Sequence, residues 1–539
     1  MNKLDFVKPI NGDNINYRED QKELIEKALE ISNGDPLNAL QYIVACMNHE
    51  GYDVEFELVF TIPANVEVSI TLPIRDYPGD EGSPTSFLRK DEGSPTSFLR
   101  KDELGYYVSW GNEITHNTNV HTYKSIDTIK EYHVRFFGLG ISGFGMLSQD
   151  DGYKKYLTKV ISFGILGHTF TSLKYAFYKC ENNFTVPSTL PSSITNTYCM
   201  FGRCRAFNQP LNAWITSNVT DMGLMFSLCI NFNQPLDAWN TSNVTNMESM
   251  FIDCSSFNQP LNTWTTSNVT DMSRMFFGCT YFNQPLNAWN TSNMTNMYNM
   301  FVGCTNFNQP LNTWSVNNVK DMYGMFVNCT DFNQPLNDWY VNNVINMESM
   351  FRGYTNFNQP LNAWSVNNVT KMKGMFANCI NFNQPLNTWS VNNVINMESM
   401  FWGCTNFNQP LNSWSVNNVS NMAYMFFDCT KFNQPLSTWS VNNVTNMQSM
   451  FSNCTNFNQP LNAWTVSNVI NMDRMFNFCT NFNQPLNDWS VSNVTNMNSM
   501  FFRCTNFNQP LNAWNVSNVI DMRNMFENCD ILEENKPIF

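Results

Sequence analysis

The chain is predicted to fold as an α/β solenoid of about 15 coils of 25 residues, preceded by a small β-sandwich and a helical N-terminal segment. Three observations lead there. A tryptophan returns every 25 residues from Trp214 to Trp514, with no insertion or deletion. Within that period Val219, Met222, Met225, Phe226 and Cys229 recur at steps of three, three, one and three, the spacing of one apolar helix face. Upstream the apolar period is two instead, which is the signature of strands.

Residues 1–50 read as helical. Leu24, Ile25, Ala28 and Leu29 share one face of Arg18–Ile31, and Asn33-Gly34 ends that run. Asp35-Pro36 opens a second helix with a capping carboxylate and a proline suited to the first helical position. Its apolar face is Leu37, Leu40, Ile43, Val44 and Met47.

A β module is expected over 51–150. Val54, Phe56, Leu58 and Phe60 alternate with polar residues, as do Val66, Val68, Ile70 and Leu72, and further strands fit Tyr106–Trp110 and Glu131–Phe137. Between them the segment DEGSPTSFLRK occurs twice in tandem, at 80–90 and 91–101, and its composition is that of a surface loop. Degenerate capping repeats fill 151–206, where Leu173, Ala176, Phe177 and Cys180 already match the apolar spacing. The regular repeats occupy 207–529, and 530–539 is a tail.

Inside one repeat, Leu211, Trp214 and Thr216 read as a short strand with the last two facing inward. The Thr216 position is Thr in the first four copies and Val in the other nine, so one packing slot is expected to accept both shapes. Ser217-Asn218 would cap the helix that follows, and Phe207-Asn208-Gln209-Pro210 would return the chain, with proline barring continuation of the helix. Asn208, Gln209 and Asn218 recur in all thirteen copies, as expected of amides that satisfy corner backbone groups.

Composition excludes several functions. A net charge of −14 with only 14 % charged residues, scattered and of both signs, lacks the basic stripe of a nucleic-acid binder. No 18-residue apolar run exists to span a membrane, and Met1–Asp13 does not read as a secretory signal. Thirteen of the sixteen cysteines fall on one repeat position, and Tyr354 replaces the thiol in one copy, a substitution that a metal site or an obligatory disulfide would not tolerate. They are expected to be buried and reduced, in a reducing compartment. No cysteine or carboxylate cluster joins His116 and His121 at ligand spacing, and no phosphate loop or nucleophile motif stands out. No catalytic residue, cofactor or metal is expected, and the chain reads as a non-enzyme.

Variation between copies falls on the pairs after the first Met and after the Phe of each repeat. These positions are expected to be exposed. Among them Trp402, Phe427, Phe277, Phe502 and Arg352 are the candidate interface residues, because aromatic and arginine side chains anchor protein contacts.

The unit N-V-T-N-M-x-x-M-F-x-x-C-x-x-F-N-Q-P-L-N-x-W-x-V-S, over about 165–529, resembles the BspA-type surface-protein repeat. That family is a leucine-rich-repeat relative found in mycoplasma and other bacterial surface proteins and in giant DNA viruses of amoebae. Leu211, Trp214, Thr216, Asn218 and Val219 look like its strand segment, with Trp for Leu and the Asn one place early. Val108-Ser109-Trp110-Gly111-Asn112, His121-Thr122-Tyr123 and Tyr132-x-Val134 look like the pattern of polycystin-type immunoglobulin-like modules, with Asn112 where that pattern has Asp. The resemblance implies a leucine-rich-repeat-like solenoid without catalytic activity. Without the leader or lipid anchor usual in bacterial members, the sequence points to a giant-virus protein made in the host cytoplasm or packaged in a virion. The expected function is recognition of a protein partner, with no nucleic acid and no membrane insertion. The alternative is a structural or surface component, such as a virion coat or an adhesin for a host-cell glycan.

Overall fold

The computed structural model describes residues 55–76, 106–124, 126–138, 141–145, 153–164, 170–353 and 356–538, with scattered positions between 27 and 44. The duplicated loop at 80–101 and Tyr354 lie outside the described residues, as do most of both N-terminal helices. Lys27, Ala28, Glu30, Gln41, Ile43 and Val44 are helical, with Ala28, Ile43 and Val44 buried. The chain divides into two compact units, Met1–Gln259 and Pro260–Phe539.

The amino-terminal unit opens with the β module. Its strands are β1 (Phe56–Ile62), β2 (Val68–Thr71), β3 (Ile74–Asp76), β4 (Tyr106–Ser109), β5 (Ile114–His116), β6 (Val120–Tyr123), β7 (Lys130–Gly138), β8 (Ile141–Phe144) and β9 (Leu157–Phe163). They form a five-stranded sheet, β5-β4-β7-β1-β9, and two antiparallel pairs, β2-β6 and β3-β8. The alternation that marked β1 sends Phe56, Leu58 and Phe60 inward, each fully buried. Phe56 stacks on Phe136 and Phe144, both at 4.8 Å, and meets Phe163 edge-on at 5.6 Å. A short helix, α1 (Tyr153–Tyr156), leads into β9, so the start of the span expected to hold capping repeats belongs instead to the edge of the five-stranded sheet.

From β8 and β9 the chain passes into stacked coils. Gly143 bridges Ser172, Lys159 bridges Thr185, Ser172 bridges Asn196, Asn196 bridges Asp221 and Asp221 bridges Asn246, all in parallel. The carboxy-terminal unit repeats the arrangement with single-residue bridges, such as Asp321 to Asn346 and Asn346 to Lys371. Repeated units of 25 residues with few helices and strands thus make up most of the chain.

The expected α/β alternation is corrected here, because the apolar segment of each repeat is not an α-helix. In Met322–Cys329 the amides take turns. Those of Met322, Gly324, Phe326 and Asn328 donate to carbonyls of the following coil at 2.8–3.0 Å, while those of Met325, Val327 and Cys329 close turns onto the residue three places back. An α-helix would direct every one of these bonds inward to the residue four back. Gly324 and Asn328 have φ of 61° and 57°, as the third position of a type II turn requires. A spacing of three, three, one and three serves such a run of turns as well as a helix, so periodicity alone could not separate them.

Side chains form columns. Trp339, Trp364 and Trp389 follow one another with ring centroids 6.3–6.4 Å apart and planes within 1°. Each indole is buried, and its N–H finds a carbonyl in the preceding coil, as Trp389 Nε1 does on Leu361 O at 2.9 Å. The Thr/Val slot is real. Thr266 and Thr291 are buried and donate to Asn290 O and Ser315 O at 2.9 Å, and Val316 fills the same position with no exposure. Asn218 is not a local cap: its Nδ2 donates to Ser192 O, and Asn393 does the same to Asn367 O, both at 2.7 Å. The local oxygen comes three residues later, where Asn396 Oδ1 accepts the Glu398 amide at 2.8 Å.

The last coil is closed by the tail. Leu532 N and Asn535 Nδ2 both donate to Asn508 Oδ1 at 2.9 Å, and Leu511 N donates to Asn535 O at 2.7 Å. A 3₁₀ turn at Glu533–Asn535 holds that arrangement.

Candidate functional site

The repeated columns are consumed by packing. Cys304, Cys329, Cys404 and Cys429 are fully buried, and each thiol donates to a Phe carbonyl 28 residues earlier at 2.8–3.0 Å. Burial pushes these thiols well above the ordinary cysteine range, so they are poor nucleophiles. Cys304, Cys329, Cys404 and Cys429 carry free thiols, not disulfides. Among the described residues no three metal-ligating side chains converge.

Chemistry that differs between coils sits on the variable pairs, and the structure brings some of these together. In the carboxy-terminal unit Trp402 meets Phe427 edge-on at 5.9 Å, and Tyr424 lies 6.3 Å from Trp402 and 6.0 Å from Phe427. All three are half-buried, with Trp402 and Phe427 leaning on each other where the sequence reading expected exposed side chains. The backbone explains the clustering. Trp402 follows the buried Phe401 and Phe427 follows the buried Phe426, so coil stacking puts the outward residues one above the other. Tyr424 joins them from a position with φ of 59°.

Phe502, half-buried, pairs with Phe478 at 5.6 Å, and the Arg503 guanidinium lies over both rings at 5.1 and 5.4 Å. Phe277 is half-buried and Arg352 is exposed, and neither joins the Trp402 cluster. Between coils on this face, Lys373 Nζ and Glu398 Oε1 form an ion pair at 2.9 Å.

A second cluster, in the amino-terminal unit, escaped the sequence reading. Tyr175, Tyr178 and Tyr198 meet edge-on at 5.6–5.9 Å. Lys174 Nζ lies 4.6 Å from the centre of the Tyr198 ring, Lys179 Nζ 5.4 Å from that of Tyr178, and Arg203 6.0 Å from Tyr178. Burial, with Tyr175 and Glu248 next in effect, pushes the Tyr198 phenol up to about 12. The signal was present: these residues occupy the variable-pair positions of the degenerate coils, which read as caps and not as surface.

In the β module, the residues singled out by motif do meet. Trp110 stacks on His121 at 5.2 Å, His121 meets Tyr123 at 4.6 Å, and Tyr123 packs on Tyr132 at 4.1 Å. Tyr123 Oη donates to Trp110 O at 2.9 Å, and the Trp110 indole donates to Thr115 Oγ1 at 2.9 Å. His121 Nδ1 pairs with Glu113 at 2.7 Å. These bonds bind the hairpin β4-β5 to β6 and β7.

Among the described residues no helix is long and apolar enough to cross a membrane. Comparison with curated proteins and with solved structures found no match. A family model described as "Mycoplasma protein of unknown function, DUF285" matches four times, over 171–272, 260–364, 336–439 and 421–538. Each match takes in about four coils, and together they cover more than half of the sequence. The chain therefore belongs to the Mycoplasma proteins of unknown function, DUF285.

Proposed function

We propose that this chain is a non-catalytic recognition scaffold that binds a protein partner through the variable face of its coils. The reading rests on the Trp402–Tyr424–Phe427 cluster, three aromatic side chains gathered at positions where the coil itself needs none. Half-buried aromatic clusters offer rigid apolar area at little entropic cost, which is how contact hot spots are built. In this reading the repeats form a BspA-type solenoid that presents the face, and the β module, a polycystin-like sandwich, orients or tethers it. Manufacture by a giant virus in its host cell fits the buried thiol columns and the Asn-rich repeats.

Replacing Trp402 and Phe427 together by serine tests this. Capture of a specific partner from host-cell lysate is expected to be lost while the unfolding midpoint stays unchanged. If the double variant retains every captured protein and co-purifies in high copy with particles, the chain is a passive coat or surface component instead.

A further inference from the structure

The cations of the amino-terminal unit are scattered in sequence, but coil stacking gathers four of them. Lys154 belongs to α1, Lys174 and Lys179 sit in one degenerate coil, and Arg203 sits in the next. Three reach one ring: Lys154 Nζ lies 6.0 Å from the centre of Tyr178, Lys179 Nζ 5.4 Å and Arg203 Cζ 6.0 Å. Any two of these charges therefore stand within ~12 Å, twice the longest of those distances. Lys174 joins them through Tyr198, 4.6 Å away, whose ring meets Tyr175 and through it Tyr178. Like charges held this close repel one another, and the ring faces return only part of that cost. In a chain of net charge −14 the patch is a local inversion of sign.

Among the described residues no ion pair takes Lys179 or Arg203, while Glu248 and Asp221 act on the cluster from the Tyr198 side. The backbone is strained to place both cations. Lys179 and Arg203 have φ of 65° and 64°, at the position where later coils put Gly278, Gly303 and Gly403. A long side chain in the left-handed region carries strain that glycine avoids, and such strain collects where a side chain serves more than packing.

The arrangement selects among anions. Cations arriving from three elements around one ring suit a tetrahedral phosphate, with its three free oxygens and a charge of about −1.5 to −2. Two such groups nearly offset all four cations. An extended acidic peptide brings same-face carboxylates only every ~6.6 Å, so four of them spread over ~20 Å. Nucleic-acid bases would need open ring faces, and those of Tyr178 and Tyr198 are taken by cations and by the Tyr175 ring.

We propose that the cations around Tyr178 bind a ligand carrying clustered phosphates, whether a soluble polyphosphate or the headgroup of a phosphorylated lipid. The site shares no residue with the Trp402 cluster, so either reading can fail without the other. The full chain is titrated calorimetrically with tripolyphosphate, poly-glutamate and oligothymidylate. It is also sedimented with phosphatidylcholine vesicles, with and without phosphatidylinositol bisphosphate. Saturable binding of tripolyphosphate is expected, weakening as salt rises. Capture by the phosphoinositide vesicles, reversed by tripolyphosphate, would assign the lipid as the source of the phosphates, and its absence a soluble ligand. Lys179→Asn and Arg203→Asn install the residue that Asn328 and Asn378 already provide at this position, and asparagine tolerates the left-handed backbone. Each is expected to lower affinity about tenfold with the unfolding midpoint unchanged, whereas Arg503→Asn in the carboxy-terminal unit leaves binding unaltered. Failure of both tripolyphosphate and the phosphoinositide to bind, undiminished binding by the Lys179 and Arg203 variants, or stronger binding of poly-glutamate or oligothymidylate would overturn the assignment.

Discussion

Truncating Trp389 to alanine tests whether the tryptophan column carries the coils. The ring is 2 % exposed and lies between Trp364 at 6.3 Å and Trp414 at 6.4 Å, with Phe376 at 6.3 Å on its flank. Removing so large a buried side chain costs ~3–5 kcal/mol, because neighbours fixed by their own stacking cannot collapse into the space. Trp389→Phe keeps a ring but strips Leu361 O of its indole donor, and its expected cost is smaller, ~1–3 kcal/mol. A repeat array unfolds by neighbouring units, so the assay pairs urea denaturation with hydrogen exchange read by mass spectrometry. Exchange is expected to rise in the coils flanking Trp389 and to fade beyond them. A loss below ~1 kcal/mol for the alanine variant, or exchange rising evenly through the unit, would refute the reasoning.

Two further outcomes follow from the columns. Val391→Thr introduces a hydroxyl where Thr291 already donates to the next coil at 2.9 Å, and is expected within ~1 kcal/mol of wild type, whereas Val391→Ala costs ~2 kcal/mol; urea melts separate them. The buried thiols make stability depend on alkaline pH. Burial holds them above their unfolded value of about 8.5, so the folded chain keeps protons that the unfolded chain loses. Stability is full below that value and falls as pH rises above it, by up to ~1.4 kcal/mol per thiol per pH unit. Urea melts between about pH 7.5 and 9.5 should show that decline. The slope should be flatter in Cys404→Ala, and a pH-independent midpoint would count against burial as the cause.

Much of the fold was legible because a period is a strong signal. The indole register located every regular coil, and the Thr-to-Val replacement from Val316 onward disclosed one shared inward slot. Strands β1, β2, β4 and β7 stood out through alternation, whereas β9, buried at Leu157, Val160 and Phe163, fell within the span read as capping repeats. The helix was misread for a specific reason. Met322 to Cys329 place apolar side chains at helical spacing, but the bond partners of Phe326 and Asn328 lie a whole coil away, and no local pattern announces them. The candidate site was half legible. Position showed that Trp402 and Phe427 vary outward, yet their contact with Tyr424 depends on the stacking of consecutive coils.

The turn at Glu533–Asn535 covers the edge of the coil that carries Asn508. Every column is complementary to a copy of itself, so an uncovered final coil is a template on which any other coil of the same kind can grow. By bringing Leu532 and Asn535 onto Asn508, the tail spends the acceptor that a further coil would have used. Phe526 and Cys529 already show the edge beginning, half-buried where their counterparts in interior coils are sealed. Without those few residues the Asn508 carbonyl oxygen and the Leu511 amide would lose the partners that the tail supplies and would stand open at a sticky edge.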